Sequence, residues 1–175
     1  QLAKKLDPSR IITYVSNRML YDPLRKNLDL PCLNEYFGWY YLSERNLNLF
    51  LDMIHGISTS QPLLITEFGA DAKYGFHSES LTKYSEEKQA SILAHSIETF
   101  NSKDYIAGWI IWLYRDFRSP LRTNKYQKGY NRKGIVSEKN QSKMITNLMN
   151  RIALRSARKR QFRYLAKFSL ILQFA

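Results

Sequence analysis

A single carboxylate lies near the end of an apolar segment of the chain. The segment runs from Leu63 to Gly69, and Glu67 is its only charged residue. Its apolar and β-branched residues predict a buried strand, bounded by Pro62 and Gly69. Burying a carboxylate costs free energy unless the group has a partner or a chemical task. Glu67 is therefore either a catalytic carboxylate or a strand-end group paired with a neighbouring lysine or arginine.

A second group of polar residues lies in an aromatic segment from Cys32 to Tyr41, which predicts another strand. Side chains alternate along a strand, so Asn34 and Tyr36 share one face and Glu35 lies on the other. The amide and the hydroxyl suit a site, because their hydrogen bonds would hold a nearby carboxylate ionised. The alternative is that this aromatic segment only packs in the core. Glu35 is predicted to lie on a solvated outer face.

Four segments resemble, in the same order, those of family-2 glycoside hydrolases, and most closely the β-glucuronidases. They are Asn-Glu-Tyr-Phe-Gly-Trp-Tyr at 34–40, the region 65–78 around Glu67, Gly-Trp-Ile-Ile-Trp at 108–112, and Asn-Arg-Lys-Gly at 131–134. The resemblance covers the chain to about Asn150. It implies the C-terminal half of a TIM-barrel catalytic domain, from the fifth strand to the last helix. It also implies retaining hydrolysis of β-glucuronides without a cofactor.

The resemblance assigns roles to several residues. Glu67 matches the catalytic nucleophile, and Asn34, Tyr36 and Tyr40 match substrate-binding positions. Trp112 matches the tryptophan that ends the eighth strand, where its ring can support a sugar face. A retaining site also needs a second carboxyl group about 5–5.5 Å from the first, to pass a proton. In the family that glutamate precedes the point where this chain begins, so we expect the 175 residues to be inactive alone.

The segment around Asn131 and Lys133 carries the expected substrate specificity. In β-glucuronidases a matching Asn-x-Lys pair binds the sugar carboxylate, and a lysine charge beside an amide selects an acid over a neutral hexose. The alternative is a basic surface loop, since Arg118, Arg122, Lys125, Lys128 and Arg132 lie in the same region. The family often has an arginine four residues before the asparagine, where this chain has Gln127. That departure leaves the identity of the uronic acid open.

Composition limits the other classes of protein. The net charge is +12, but seven lysines or arginines and no acidic residue follow from Arg151, which leaves +5 for the first 150 residues. A charge confined to a tail does not predict nucleic-acid binding by the body. No segment has the pattern of a signal peptide or a bilayer span. The single Cys32 excludes an internal disulfide and leaves the compartment open, with the cytoplasm favoured, and the histidines lack the spacing of metal ligands.

The elements that must position these residues alternate along the chain. The patterns predict a helix over 1–6, a helix from Ser43, a helix from Ser85 and a helix from Met144, with strands at 11–15, 32–41, 63–69 and 105–114. This order predicts an α/β fold of parallel units, either part of a (β/α)8 barrel or a small open sheet. Complete barrels need about 250 residues. We therefore expect half a barrel over residues 1–150 and a basic tail outside the family pattern over 151–175.

Two classes of function follow from this interpretation. The first is a retaining glycosidase for β-glucuronides, with a β-galactoside or another uronide as the alternative substrate. Its partners would be the carbohydrate and the N-terminal half of the enzyme, with no cofactor, metal, nucleic acid or membrane. The second is a non-catalytic barrel remnant whose basic tail binds acidic partners. The oligomeric state stays open.

Overall fold

The computed structural model describes residues 2–16, 21–58 and 61–160. These residues contain four α-helices and six strands. The helices are α1 (Leu2–Leu6), α2 (Leu47–Ser58), α3 (Glu86–Ser102) and α4 (Met144–Arg160). The strands are β1 (Val15–Ser16), β2 (Cys32–Asn34), β3 (Leu63–Phe68), β4 (Ile106–Ile111), β5 (Phe117–Arg118) and β6 (Tyr130–Asn131). The predicted tail from 151 falls partly in α4, and residues 161–175 lie outside the described part.

The first four strands form one parallel sheet in chain order, β1-β2-β3-β4. Leu33 of β2 pairs with Ile65 of β3, and after a register shift Asn34 pairs with Glu67. The strands β5 and β6 form a separate antiparallel pair. The predicted parallel α/β order is confirmed, and the described strands form an open arrangement. Because parallel strands share their direction, the polar residues at the ends of β2 and β3 lie side by side.

Three strands are shorter than the sequence predicted, so the predicted bounds 11–15, 32–41 and 105–114 are wrong at their ends. The segment before β1 is tied by a loop contact, since the Ile12 amide donates to the Asp29 carboxylate over 2.7 Å. After β2 the chain turns, and the amides of Trp39 and Tyr40 both donate to the Tyr36 carbonyl. The aromatic residues beyond Asn34 therefore belong to a turn and to the core.

Serine caps begin two of the helices, as predicted. Ser43 closes a capping box at the short 3₁₀ turn Glu44–Asn46 that leads into α2. The Ser85 hydroxyl accepts the amide of Lys88 at the start of α3. The helix α2 continues through Gly56 to Ser58. None of the helices in the described ranges is long and apolar enough to cross a membrane.

The apolar core lies between the sheet and the helices α2 and α3. Phe68 at the end of β3 packs edge-on against Phe100 of α3 and Trp109 of β4, with ring centroids 5.0 and 5.7 Å apart. Buried residues of both helices complete this layer, including Leu51, Ile54, Leu93 and Ile97. Cys32 is also buried. This packing holds the ends of β3 and β4 in place, because the rings of Phe68, Phe100 and Trp109 fill the space next to them.

Glu35 is buried and not solvated, so the prediction of a solvated outer face is wrong. Its side chain is 1% exposed, and its Oε2 accepts the Phe37 amide over 2.9 Å. Ser96 of α3 also interacts with the carboxyl group. Burial raises the pKa of Glu35 from its ordinary value of 4.5 to about 7. Glu35 and Tyr36 do have their partners on different faces, as the alternation predicts, but the outer face of this parallel sheet is covered by helices.

Candidate active site

Glu67 and the other polar residues near it lie at the C-terminal ends of neighbouring parallel strands. Asn34 ends β2, Glu67 lies one residue before the end of β3, and Trp112 follows the last residue of β4. The ladder continues at this edge, since the Glu35 amide donates to the Glu67 carbonyl over 2.8 Å. The edge therefore gathers side chains that are distant in sequence.

Tyr36 is the direct partner of the Glu67 carboxylate. Its hydroxyl donates to Oε2 of Glu67 over 2.7 Å, and both side chains are half-buried. Burial and the neighbouring Glu67 carboxylate raise the pKa of Tyr36, so the phenol stays protonated. The hydrogen bond occupies one carboxylate oxygen and leaves Oε1 available for another contact. This hydrogen bond orients the Glu67 carboxyl group.

Asn34 lies beside this pair and is itself held in place. Its Oδ1 accepts the hydroxyl of Thr66 over 2.8 Å. Because the amide oxygen has a partner, the amide NH2 group is the end that would donate to a ligand. Asn34 is half-buried. The structure thus brings Asn34 to the Glu67 strand, with Thr66 as the link.

Lys133 lies in a buried ion pair. Its Nζ donates to Oδ2 of Asp71 over 2.7 Å and to the Tyr40 hydroxyl over 2.6 Å, and its side chain is 1% exposed. Burial by itself would raise the pKa of Asp71, but the Lys133 ammonium and the hydrogen bonds of Lys133 and Gln127 hold it below its usual range. The Lys133 ammonium also lies 5.5 Å from the ring centroid of Tyr36. Tyr36 is therefore close to both groups, through its hydroxyl to Glu67 and through its ring to Lys133.

The sequence did not predict that Asp71 belongs to this cluster. It also did not predict that Arg122 contacts Asp71. Asp71 also accepts Gln127 Nε2 and the Arg132 amide, each over 2.9 Å. Arg122 lies 3.9 Å from Asp71, and both of its terminal nitrogens lie 3.4 Å from the Tyr40 hydroxyl. The available signal was the position of Asp71 directly after the Glu67 strand. The pairing with Arg122 has no sequence signal, because it joins two loops.

A second buried network, formed by Lys143 and Asp116, holds the segment 131–134. Asn131 is buried, and its Oδ1 accepts the Lys133 amide over 3.2 Å. Lys143 donates to Asp116 and to the Arg132 carbonyl, each over 2.9 Å, while Asp116 also accepts the Gly134 amide. Arg132 is thus part of a scaffold, and Asn131 supports the Lys133 backbone.

Trp112 joins the site through its backbone. Its amide donates to the Phe68 carbonyl over 2.9 Å, and its half-buried ring meets Phe117 edge-on at 6.5 Å. Gly69 lies directly against it, since a Cβ at Gly69 would be 2.4 Å from the Trp112 carbonyl oxygen. The strand ends of β3 and β4 are therefore in close contact. Within the described part of the chain, no three His, Cys, Asp or Glu side chains cluster as metal ligands would.

Comparison with known proteins identifies relatives of this chain. Residues 1–154 match the family model for glycosyl hydrolases family 2, TIM barrel domain. The β-glucuronidases of Rattus norvegicus and Homo sapiens are 34% and 32% identical to the chain over 157 residues. Each alignment covers 83% of this chain and 24% or 23% of the relative. The chain thus spans about a quarter of the length of the curated relatives it matches.

Solved structures give the same result for the fold. The structure of a GH2 β-galacturonidase from Eisenbergiella tayi bound to galacturonate matches this chain with a TM-score of 0.76 and 29% identity. The match covers 89% of this chain and 28% of that one. A β-D-glucuronidase from Dictyoglomus thermophilum also has a TM-score of 0.76 and 29% identity, over 85% of this chain and 26% of that one. The predicted fold, a partial TIM barrel, is confirmed.

Proposed function

Because the chain belongs to family 2 of the glycosyl hydrolases, we propose that it forms the nucleophile-bearing part of a retaining active site for β-glucuronides. The observation that carries the proposal is the hydrogen bond from Tyr36 to Glu67, 2.7 Å long, with the Lys133 ammonium 5.5 Å from the centroid of the same tyrosine ring. One end of the site holds an oriented carboxylate. The other end holds donors suited to the carboxylate of a uronic acid.

Glu67 acts as the nucleophile in this proposal. Its Oε1 attacks the anomeric carbon of the sugar, the bond to the leaving oxygen breaks, and a glycosyl ester forms. Tyr36 keeps its proton and holds Oε2, so that the attacking oxygen faces the sugar. Water then attacks the anomeric carbon and releases Glu67 as a carboxylate, and the water's proton goes to the group that had protonated the leaving oxygen. The proton that the leaving oxygen needs is supplied from another part of the enzyme, as in the retaining scheme with two carboxyl groups.

The remaining residues bind the sugar. Asn34 offers its amide donors beside the nucleophile, and Trp112 supports a sugar face at the end of β4. Lys133 and Tyr40 receive the sugar carboxylate, and Asn131 fixes the Lys133 backbone. A β-galacturonide is the second candidate substrate, because a solved relative of 29% identity is a β-galacturonidase. That sugar presents the same carboxylate and differs at one hydroxyl group.

Covalent labelling tests the nucleophile without needing a proton donor. A 2-deoxy-2-fluoro-β-glucuronosyl fluoride carries a leaving group that departs as fluoride, so attack by Glu67 releases fluoride and leaves the sugar as an ester. We expect mass spectrometry to find one label on the peptide that contains Glu67. The Glu67→Gln variant should not be labelled, while Glu35→Gln, on the opposite strand face, should be labelled like the parent.

A hybrid enzyme extends the test to the complete site. Residues 1–154 would replace the matching segment of the rat β-glucuronidase, which is 34% identical. We expect this hybrid to be labelled at Glu67 and to hydrolyse an aryl β-glucuronide faster than the matched β-glucoside. Labelling at a different residue, or labelling that survives Glu67→Gln, would contradict the proposal.

A further inference from the structure

The strand β3 contains a β-bulge at Thr66, the residue before the proposed nucleophile. Ile65 and Glu67 lie two residues apart in β3, yet they pair with adjacent residues of β2. Those partners are Leu33 and Asn34. The register between β3 and β4 shifts in the same part of β3. The strand therefore has one residue more than its neighbours at this point, and such bulges next to active sites commonly change the direction of a side chain.

The bulge changes the direction of the Glu67 side chain. In a regular strand Glu67 would share the face of Ile65, which is 0% exposed and packs in the apolar core. Here Phe68 takes the next core position and is also 0% exposed, while Thr66 and Glu67 are both half-buried. Glu67 therefore leaves the core face, and its carboxyl group accepts the Tyr36 hydroxyl over 2.7 Å.

The Thr66 hydroxyl links the bulge to β2. Its oxygen lies 2.8 Å from Oδ1 of Asn34 and 3.1 Å from the carbonyl oxygen of Leu33. Both of these oxygens are acceptors, so the one hydrogen of the hydroxyl serves two contacts, of which the contact with Asn34 is the shorter. A bulge locally disrupts the ladder of hydrogen bonds between strands. The contacts of Thr66 therefore hold β3 against β2 where the ladder is weakened.

From this geometry we infer that Thr66 is a positioning residue for the nucleophile, because its hydroxyl holds the bulge that directs Glu67 toward the site. The inference rests on the proposed function and concerns a residue to which the sequence assigned no role. The competing role is purely structural, since a β-branched residue fits a strand whatever its hydroxyl contacts. Valine has the same branched shape without the hydroxyl, so Thr66→Val separates the two roles.

The rate of covalent labelling tests the inference. The 175-residue chain is treated with the 2-deoxy-2-fluoro-β-glucuronosyl fluoride, and fluoride release is followed at several reagent concentrations. The data give a maximal labelling rate and the reagent concentration at half of that rate. We expect Thr66→Val to lower the maximal rate about threefold to tenfold, the range for one hydrogen bond between neutral groups. The half-maximal concentration should not change, and Thr66→Ser, which keeps the hydroxyl, should be labelled at nearly the parent rate.

Thr146→Val is the matched control. Thr146 is a half-buried residue of α4, and its hydroxyl donates to the Ile135 carbonyl over 2.9 Å. This change removes a similar hydrogen bond and should leave the maximal labelling rate and the half-maximal concentration at their parent values. Urea unfolding of each variant checks that the folded state is the one being labelled.

Three results would overturn the inference while the proposed function stands. The first is a parent maximal rate in Thr66→Val, or a change confined to its half-maximal concentration. The second is an equal loss of rate in Thr146→Val, or no recovery in Thr66→Ser. The third is a Thr66→Val chain that does not fold, because the hydroxyl would then serve the fold as a whole. If the parent chain is not labelled at Glu67, the proposed function is wrong and the inference falls with it.

Discussion

Removing the charge of Glu35 should make the folded protein more stable at neutral and alkaline pH. The carboxyl group is 1% exposed, and burial raises its pKa from 4.5 to about 7. The folded state therefore holds the proton more tightly than the unfolded state. Since the unfolded chain releases that proton at lower pH, the free energy of unfolding falls as pH rises from about 4.5 to about 7.

The size of this effect follows from the two pKa values. One pKa unit corresponds to about 1.4 kcal/mol, so the ionisation of Glu35 costs about 3 kcal/mol of stability once the pH is above 7. At pH 5 the same cost is only about 1 kcal/mol. Glu35→Gln never ionises, and its amide oxygen can still accept the Phe37 amide. The variant should therefore gain about 2 kcal/mol over the parent between pH 5 and pH 8.

Urea unfolding of the parent and the variant at pH 5, 6, 7 and 8 measures this difference. Glu98→Gln, which removes the charge of an exposed residue of α3, is the matched control. A Glu35→Gln difference that does not change with pH would refute the reasoning, because it would mean that the folded protein ionises Glu35 as readily as the unfolded chain does.

The remaining predictions concern the proposed site. Tyr36→Phe should slow labelling of Glu67 by the fluoride reagent about tenfold to a hundredfold, since a hydrogen bond to a charged group is lost; an unchanged rate would contradict the role of Tyr36. Gly69→Ala should lower the free energy of unfolding by about 1–3 kcal/mol, measured in urea, because the new Cβ would be 2.4 Å from the Trp112 carbonyl. The chain alone should not measurably hydrolyse an aryl β-glucuronide, because in the proposed function the general acid–base help, worth about 10²–10⁴-fold, comes from another part of the enzyme. Turnover by the lone chain that Glu67→Gln abolishes would refute that expectation.

The sequence predicted the order of elements well because the signals are local. The side chains of Ser43 and Ser85 cap the starts of their helices, and the apolar residues of β3 and β4 form strands. The strand ends were less predictable. Aromatic residues such as Phe37 and Trp39 favour strands by propensity, yet here they pack in a turn after Asn34. Tertiary packing decided their conformation, which a local pattern does not contain.

The charges of the candidate site were the hardest part to predict. The sequence predicted a ligand-binding role for Lys133 but did not indicate that the same ammonium pairs with Asp71 in the interior. Periodicity gives the face on which a side chain lies and not what covers that face. Pairs between distant loops, such as Arg122 with Asp71, depend on how the loops fold over the strand ends. These are the contacts on which substrate specificity depends in the proposed function.

Side chains point alternately to the two faces of the sheet where β2 enters its C-terminal turn. This alternation keeps the Glu35 carboxyl group away from the Glu67 carboxyl group. A pKa of about 7 would suit Glu35 as a general acid. Its carboxyl group, however, accepts the Phe37 amide and faces Ser96 of α3, whereas the adjacent Tyr36 hydroxyl reaches Glu67 on the other face. A proton donor must lie within hydrogen-bonding reach of the leaving oxygen. Glu35 fails on geometry although its pKa is suitable, so the proposed mechanism takes its acid from another part of the enzyme.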